Sequence, residues 1–323
     1  MLAGAFPVAR AAQRLPGGLG RLLFDLAADL AWGTRRGGVT LLERNLTRMR
    51  PDLSRREIRR LSRSNLRRYL ANFYEAVELP GLTPAQIEAR VRVIGDREPA
   101  RDCREGRGFV AALGHCGNWD LAGAYATTSL APVLTVAEVL EPSEVFEEFL
   151  AMRRRIGLEI LPMQAGVFRE LLRRVRSTTH ATPLLADRDL SSSGVEVQLA
   201  GRRARVAAGP AALALGGELP LYPAMIRRER LTGPRRRRAG SPWGIVIELL
   251  PAVWRPDDVA PANGVAELTQ RWVDALAERI RLYPRDWHML QRVFVEDLDA
   301  ARLHAASATS GAATDAAVRA EEG

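Results

Sequence analysis

Residues 109–120 constrain the fold more than any other part of the chain. An apolar run at residues 109–113, FVAAL, indicates a buried strand, and a helix-like pattern begins soon afterwards. Between them lies GHCGNWD, residues 114–120. The pattern predicts a strand, a turn and a helix, with His115 on the turn and Asp120 in the first helical turn, where a carboxylate also suits the helix dipole. Ligands of open α/β sheets usually bind at this end of a strand.

The spacing of His115 and Asp120 suits acid–base chemistry. A carboxylate five residues on can fold back to one imidazole nitrogen, fix the tautomer and leave the other nitrogen free as a general base. The alternative is a satisfied core histidine followed by a helix-capping aspartate, which is the commoner case for a lone histidine. The glycines at 114 and 117 keep the turn small and open, so together with the strand–turn–helix context they favour the catalytic interpretation.

The same segment resembles a known family. His-x-x-x-x-Asp is the signature of the glycerolipid acyltransferases, and the longer form from Gly114 to Asp120 is similar to the branch that contains the bacterial late lipid A acyltransferases. That branch usually carries Glu at the last position. Asp at 120 is more similar to the actinobacterial phosphatidylinositol mannoside acyltransferases.

Further segments extend the resemblance over most of the chain. Residues 153–162 are similar to the family's second block, residues 185–210 to its third and residues 283–288 to its closing signature. Asp120 and Glu196 together indicate the mannoside branch.

The resemblance implies an acyl-CoA dependent O-acyltransferase that moves a long-chain group, palmitoyl, to a mannose 6-hydroxyl of phosphatidylinositol mono- or dimannoside. It implies that His115 is the general base and that Asp120 orients it. Backbone N–H groups near Gly117 and Asn118 are predicted to stabilise the oxyanion. Glu196 would hold the sugar or complete the His–Asp arrangement, unless it is an edge-strand glutamate facing water. A lipid A-type or other glycolipid acceptor, and a lipid ester or thioester hydrolase, remain alternatives.

The charge of the chain favours an anionic partner. Its 47 basic residues are all arginine, against 38 acidic residues, and the net charge is +9. We expect acyl-CoA, as a co-substrate, and an anionic membrane surface to supply the negative charge. His115, Arg153 and Arg202 are predicted to contact acyl-CoA, although a solvated position is the commoner case for any one arginine. Nucleic acid ranks low because no RNA-binding or zinc module is visible, and we expect no metal and no further cofactor.

Alternating strand and helix patterns predict an α/β fold, with a central, mostly parallel sheet flanked by helices. We expect one acyltransferase domain over residues 1–303, of which residues 1–80 are a helical, membrane-facing part, and a disordered tail at 304–323. Residues 20–33 predict an amphipathic helix that carries two aspartates and so does not span a membrane. It either packs on the core or lies in the membrane interface. No secretory signal is expected. The family resemblance implies a location at the cytoplasmic face of the plasma membrane, and we expect a peripheral protein.

Three other features are interpreted as having no role in catalysis. Cys116 lies next to His115, but adjacent residues on a turn rarely align for thiol catalysis. His288 is a second candidate base that we interpret as structural. The four arginines at 235–238 lie between a proline and a glycine, which predicts an exposed loop.

Overall fold

A seven-stranded sheet organises the fold. The structure is a computed structural model that describes residues 18–36, 38–139, 143–189 and 194–298, together with Leu15. The predicted tail at 304–323 lies outside the described residues. The strands are β1 (Val91–Ile94), β2 (Phe109–Leu113), β3 (Val133–Ala137), β4 (Leu158–Pro162), β5 (Ala181–Leu185), β6 (Val195–Leu199), β7 (Arg202–Val206), β8 (Leu221–Arg230) and β9 (Trp243–Leu249).

Helices precede the sheet and connect its strands. They are α1 (Leu19–Gly33), α2 (Val39–Met49), α3 (Arg55–Glu78), α4 (Pro84–Arg90), α5 (Arg97–Arg104), α6 (Trp119–Ser129), α7 (Ser143–Arg155), α8 (Val167–Ser177), α9 (Gly209–Gly217), α10 (Gly233–Ala239) and α11 (Gly264–Leu282). Short 3₁₀ turns occupy Leu79–Gly81, Pro261–Asn263, Pro284–Asp286 and Val295–Asp297.

The strand order of the sheet is β1-β9-β8-β2-β5-β3-β4. Neighbouring strands are parallel except for the antiparallel pair β8 and β9. The predicted fold, a mostly parallel sheet flanked by helices, is therefore confirmed. Strands β6 and β7 form a separate antiparallel hairpin, which the sequence pattern did not indicate as a unit.

The central strand β2 is buried on both faces because helices cover the sheet on each side. Phe109, Ala111 and Leu113 belong to the core cluster on the side of α6. Val110 and Ala112 alternate with them and belong to the cluster that contains the helix α11. The turn that begins at residue 114 therefore follows directly on a strand in the middle of the core.

A capping motif starts the helix α3. Ser54 and Glu57 form a reciprocal capping box, in which the Ser54 hydroxyl accepts from the Glu57 N–H and the Glu57 carboxylate accepts from the Ser54 N–H. The helix α1 packs against α3 through Phe24 and Ala28, both buried. Within the described residues, no helix is both long enough and apolar enough to cross a bilayer.

The leucines of α1 do not pack on the core. One face of this helix, here called the leucine face, keeps between 45% and 70% of its side-chain surface exposed and consists of Leu19, Leu22, Leu23, Leu26 and Leu30. The helix does pack on the fold, but through smaller and aromatic residues on another face, so its packing leaves the leucines exposed. Its place in the membrane interface stays a prediction.

Residues 235–238 are helical, so the predicted loop is wrong. They lie in α10, where Pro234 occupies the first turn, a position that suits its fixed φ and missing N–H. Arg235 binds the Glu229 carboxylate at 2.7 Å and the Ala89 carbonyl at 2.8 Å. These contacts anchor the segment on the rest of the fold.

Candidate active site

Two neighbouring strands bring the predicted base and a second carboxylate to one edge of the sheet. The strands β2 and β5 are adjacent and parallel, and their register pairs Leu113 with Leu185. His115 lies two residues beyond the end of β2, and Asp187 lies two residues beyond the end of β5. Because both strands run the same way, the two side chains meet at the carboxyl edge of the sheet, where open α/β folds bind ligands.

The carboxylate of Asp187 holds the imidazole of His115. Nδ1 of His115 lies 2.5 Å from Oδ1 of Asp187, and the His115 backbone N–H donates to Oδ2 at 2.9 Å. An ionised carboxylate can only accept hydrogen bonds, so we assign the ring proton of the neutral imidazole to Nδ1. This tautomer leaves the lone pair on Nε2, as a general base requires.

Asp187 is buried, and its neighbours keep it ionised. Oδ2 also accepts from Nε1 of Trp287 at 2.7 Å. Burial by itself raises the pKa of this carboxyl, but the His115 ring and the hydrogen bonds from His115 and Trp287 together hold the pKa below its usual value. Asp187 is therefore a charged, fixed partner that can set the orientation of the imidazole.

Nε2, the other ring nitrogen of His115, lies in a mixed polar and aromatic environment. Nε of Arg188 donates a long hydrogen bond to Nε2 at 3.4 Å, and Nη2 of the same arginine binds Glu138 at 3.1 Å. The Trp119 ring lies edge-on, with 6.1 Å between the ring centroids. The His115 side chain keeps 20% of its surface exposed, so a substrate can reach it.

The expected contact between Asp120 and His115 is wrong. Asp120 does lie in the first turn of α6, but its Oδ1 accepts from Nε of Arg153 at 2.7 Å. Arg153 belongs to the helix α7, and its guanidinium also lies 5.0 Å from the centre of the Phe149 ring. The position of α7 beside the start of α6 gives Asp120 a cationic partner, while His115 turns to β5. The catalytic role of Asp120 stays a prediction. In the structure its side chain contacts Arg153 rather than His115.

The turn between β2 and α6 requires glycine at 117. Gly117 has a φ of +59°, and a Cβ there would lie 2.5 Å from the Ile226 carbonyl. Its N–H donates to the Asp286 carbonyl at 2.8 Å, so this group is already bonded and is not the free oxyanion donor that the sequence predicted. Asn118 is the N-cap of α6, and its Oδ1 accepts from the Leu121 N–H at 3.0 Å.

The closing signature, residues 283–288, is hydrogen-bonded to this turn. The backbone N–H of His288 donates to the His115 carbonyl at 2.8 Å. Trp287 lies one residue earlier, is fully buried and binds Asp187, as described above. The segment around residues 284–289 thus fixes both the base and its carboxylate partner.

The interpretation of His288 as structural agrees with its surroundings. The ring is buried, with Nδ1 3.0 Å from Oδ1 of Asn65. Burial, with a smaller effect of nearby positive groups such as Arg68, lowers the pKa of His288 to about 3. Asp286, the carboxylate nearest in sequence, binds Arg68 at 2.7 and 2.8 Å. His288 is therefore a neutral core side chain at physiological pH.

Glu196 and Arg202 lie on the β6–β7 hairpin. Glu196 binds Nε of Arg203 at 2.6 Å and keeps 41% of its side-chain surface exposed, so the alternative of an edge-strand glutamate facing water describes its position. Arg202 binds Glu296 at 2.9 Å, at the turn end of the hairpin. Within the described part of the chain, no hydrogen bond or ion pair joins either side chain to His115. Their predicted roles toward the sugar and acyl-CoA stay predictions.

The thiol of Cys116 is unreactive. Its side chain is buried, and burial, reinforced by the negative charges of Asp187 and Asp286, raises the pKa of the thiol well above its ordinary value. Because the thiolate is the reactive form, this cysteine is not a competing nucleophile.

An apolar cavity of about 170 Å³ lies between α6 and the sheet and ends beside the site. Phe109 and Leu113, at the two ends of β2, both line it, and so do residues of the other six strands, so it extends both along and across this face of the sheet. Trp119, Asp120 and Arg153 line it near the start of α6. Most of the remaining lining is apolar and includes Ala111, Ala122, Leu158, Ala224 and Ile247.

Comparison with known proteins agrees with this geometry. A profile of the family described as bacterial lipid A biosynthesis acyltransferase matches residues 7–296. The chain belongs to this acyltransferase family. Two similar relatives are phosphatidylinositol mannoside acyltransferases. That of Mycolicibacterium smegmatis is 32% identical over 292 residues, covering 90% of each chain. That of Mycobacterium tuberculosis is 32% identical over 297 residues, covering 90% of this chain and 88% of its own.

This acyltransferase is an enzyme, as the family and its relatives indicate. A solved 1-acyl-sn-glycerophosphate acyltransferase from Thermotoga maritima is 14% identical, covers 80% of this chain and 94% of its own, and has a TM-score of 0.36. The family profile and the two relatives from mycobacteria confirm the predicted family.

Proposed function

We propose that this acyltransferase moves a palmitoyl group from acyl-CoA to the 6-hydroxyl of a mannose on phosphatidylinositol mono- or dimannoside. His115 acts as general base and Asp187 as its positioning residue. The observation that carries the proposal is the hydrogen-bonded His115–Asp187 pair next to an apolar cavity, which is lined by Leu113 and Leu185, each two residues before one member of the pair. The names of the relatives support the mannosylated acceptor.

In the proposed reaction, Nε2 of His115 takes the proton of the acceptor hydroxyl as its oxygen attacks the thioester carbon. The carboxylate of Asp187 stabilises the imidazolium that forms and keeps the ring in place. When the carbon–sulfur bond breaks, the imidazolium returns its proton to the CoA sulfur. The products are the acylated mannose and CoA, and the base is regenerated.

The start of α6 offers donors for the oxyanion. The backbone N–H groups of Trp119 and Asp120 belong to its first turn, and within the described residues neither has an acceptor. Groups of this kind at a helix N-terminus favour a developing negative charge. They replace Gly117 in the oxyanion proposal, because the Gly117 N–H is bonded to Asp286.

The apolar cavity is the proposed site of the acyl chain. Its lining is mainly carbon, contributed by α6 and by all seven strands of the sheet, so an acyl chain suits it better than a polar ligand. Arg153 and Asp120 lie at the end near His115. We assign Arg153 to the polar end of the donor, at the thioester or the first part of CoA.

We further propose that the enzyme is peripheral, at the cytoplasmic face of the plasma membrane. Both proposed substrates carry long acyl chains, and the leucine face supplies an exposed apolar surface on α1.

The test uses the purified full chain with palmitoyl-CoA and phosphatidylinositol mannosides in detergent micelles, with the products analysed by mass spectrometry. We expect the acceptor to gain one palmitoyl group on a mannose. His115→Ala should reduce the initial rate by about 10²–10⁴-fold, because the general base is lost. His180→Gln is the matched control, since His180 lies at the opposite end of β5.

Two results would contradict the proposal. Release of free palmitate with the acceptor unchanged would identify a hydrolase. A folded His115→Ala enzyme, checked by circular dichroism, that runs at the wild-type rate would remove His115 from the mechanism. Lipid A precursors, offered as alternative acceptors in the same assay, test the choice of mannoside.

A further inference from the structure

A second concave site lies far from the chemistry described above. It is a surface pocket of about 700 Å³ between α2, the start of α3 and the turn end of the β6–β7 hairpin. We call it the arginine pocket, because six arginines line it: Arg35, Arg44, Arg48, Arg55, Arg59 and Arg202. Arg202 is separated from the active-site end of the hairpin by the length of β7, about 13 Å at ~3.3 Å per residue.

The pocket carries more positive charge than its own carboxylates neutralise. Two glutamates, Glu43 and Glu296, line it beside the arginines. Arg35 binds Glu43 at 2.7 Å, and Arg202 binds Glu296 at 2.9 Å. A third carboxylate, Asp297, contacts Arg44 and Arg48 from behind.

Arg55 and Arg59 are the two lining arginines that these carboxylates do not neutralise. Within the described residues, neither has a carboxylate partner. Both are exposed, and they are four residues apart on α3, so they share a face. The guanidinium of Arg59 lies 5.2 Å from the centre of the Trp32 ring, which fixes its position at the edge of the pocket. Like charges at this spacing repel each other, and a bound anion would relieve the repulsion.

The shape and chemistry of the pocket suit a phosphate group. Guanidinium groups bind phosphate oxygens through paired, charge-assisted hydrogen bonds, and several arginines around one concave site are the usual arrangement for such recognition. Two sources of phosphate are relevant to this enzyme: a membrane phospholipid and the soluble end of CoA.

The position of the pocket favours the lipid. Arg35 follows directly on α1, and Trp32 belongs to that helix, so the pocket adjoins the C-terminal end of the leucine face. Leu30, the last residue of that face, is 70% exposed. In a bilayer the phosphates lie just outside the acyl chains, so a helix that buries its leucines among the chains places neighbouring arginines at the phosphate level.

We propose that the arginine pocket binds the phosphate of an anionic membrane phospholipid that is not the acyl acceptor. This inference rests on the proposed membrane location but not on the proposed chemistry. In this proposal Arg202, a predicted contact of acyl-CoA, lines the lipid-binding pocket while it stays paired with Glu296.

The test measures binding of the full chain to phosphatidylcholine vesicles with and without phosphatidylglycerol, by co-sedimentation. The variant is R55Q/R59Q. The matched control is R56Q/R60Q, which removes the same charge, at the same spacing, from exposed positions of the same helix that do not line the pocket. We expect R55Q/R59Q to weaken binding to the anionic vesicles about tenfold more than the control does. Binding to pure phosphatidylcholine should be the same for both.

Other outcomes identify what has failed. If both pairs weaken binding equally, the arginines act only through overall charge and the pocket proposal is overturned. If the wild-type protein does not co-sediment with any of the vesicles, the proposed membrane location is overturned together with the pocket proposal. Acyl transfer in micelles is tested separately. If adenosine 3′,5′-bisphosphate, a mimic of the phosphate end of CoA, binds wild type but not R55Q/R59Q while vesicle binding is unchanged, the ligand is soluble and the lipid proposal is overturned.

Discussion

At the scale of single residues, the choice between two aspartates decides how the site works. Asp120 is close to His115 in sequence, but it binds Arg153. Asp187 is 72 residues away in sequence, but it binds both Nδ1 and the backbone N–H of His115. In the proposed mechanism, the carboxylate on the ring nitrogen controls the tautomer and the charge of the base.

Asp187→Asn should therefore reduce the rate of acyl transfer by about 10²-fold or more, because an amide in this position can hold the wrong tautomer. Asp120→Asn should cost less, since it removes only a contact to Arg153. Initial rates at saturating palmitoyl-CoA measure both, with folding verified by circular dichroism. A larger loss for Asp120→Asn than for Asp187→Asn would return the orienting role to Asp120.

His288 should make the fold sensitive to mild acid. Its pKa is about 3 in the folded protein and 6.5 ordinarily. Between these two pH values the imidazole is protonated in the unfolded chain but neutral in the folded protein. The stabilising effect of this depressed pKa is complete above pH 6.5 and is lost as the pH falls. We expect the free energy of unfolding to drop by about 2 kcal/mol between pH 7 and pH 5 from this group alone.

Urea unfolding at the two pH values measures the effect. His288→Asn is the informative variant, because an asparagine amide can replace Nδ1 as donor to Asn65 without titrating. The variant should lose most of the drop between pH 7 and pH 5. An equal drop in the variant would place the acid sensitivity elsewhere.

At the scale of elements, the packing of α6 on the sheet creates the cavity. The alternate residues of β2 that face α6 include Ala111, and the helix contributes Ala122, Gly123 and Ala126. Small side chains on both surfaces leave the space that larger ones would fill. The cavity thus lies between one helix and the face of the whole sheet, and substitutions on either surface can change its dimensions.

Ala126→Phe should shift the preference of the enzyme toward shorter acyl chains, because the new ring occupies part of the cavity. The ratio of kcat/KM for palmitoyl-CoA to that for octanoyl-CoA should fall about tenfold or more. The control is Thr128→Phe, on the exposed side of the same helix. An unchanged ratio in Ala126→Phe would mean that the acyl chain binds elsewhere.

At the scale of the whole molecule, an excess of arginine combines with one exposed apolar helix face. The net charge is +9, and the leucine face belongs to a helix that packs on α3 by other residues. Charge attracts the protein to an anionic surface over a range that salt shortens, and apolar burial does not depend on salt in this way.

The whole protein should therefore behave as a peripheral membrane protein. Washing membranes with high salt or carbonate should release it, since screening removes the electrostatic part of the attraction. Immunoblotting of the pellet and the supernatant measures the release. An integral marker serves as the control, and retention of the enzyme with that marker would contradict the prediction.

Local sequence determined the elements of this protein. The strand at 109–113, the turn with its glycines, the first turn of α6 and the capping box at Ser54 all follow from residues within a few positions of each other. The family was also readable from the sequence, because its motifs are short runs of contiguous residues. Hydrogen bonds and side-chain periodicity over such distances depend little on the rest of the fold.

Only the tertiary structure decided which residues meet. The pairing of His115 with Asp187 depends on β5 lying next to β2, although β3 and β4 come between them in the chain. Both strands are apolar runs followed by a polar residue, but that pattern does not contain the strand order. Likewise, periodicity marked the leucines of α1 as one face, and only the packing of Phe24 and Ala28 on α3 left that face exposed. Contacts between distant segments depend on how layers pack, and many arrangements satisfy the same local preferences.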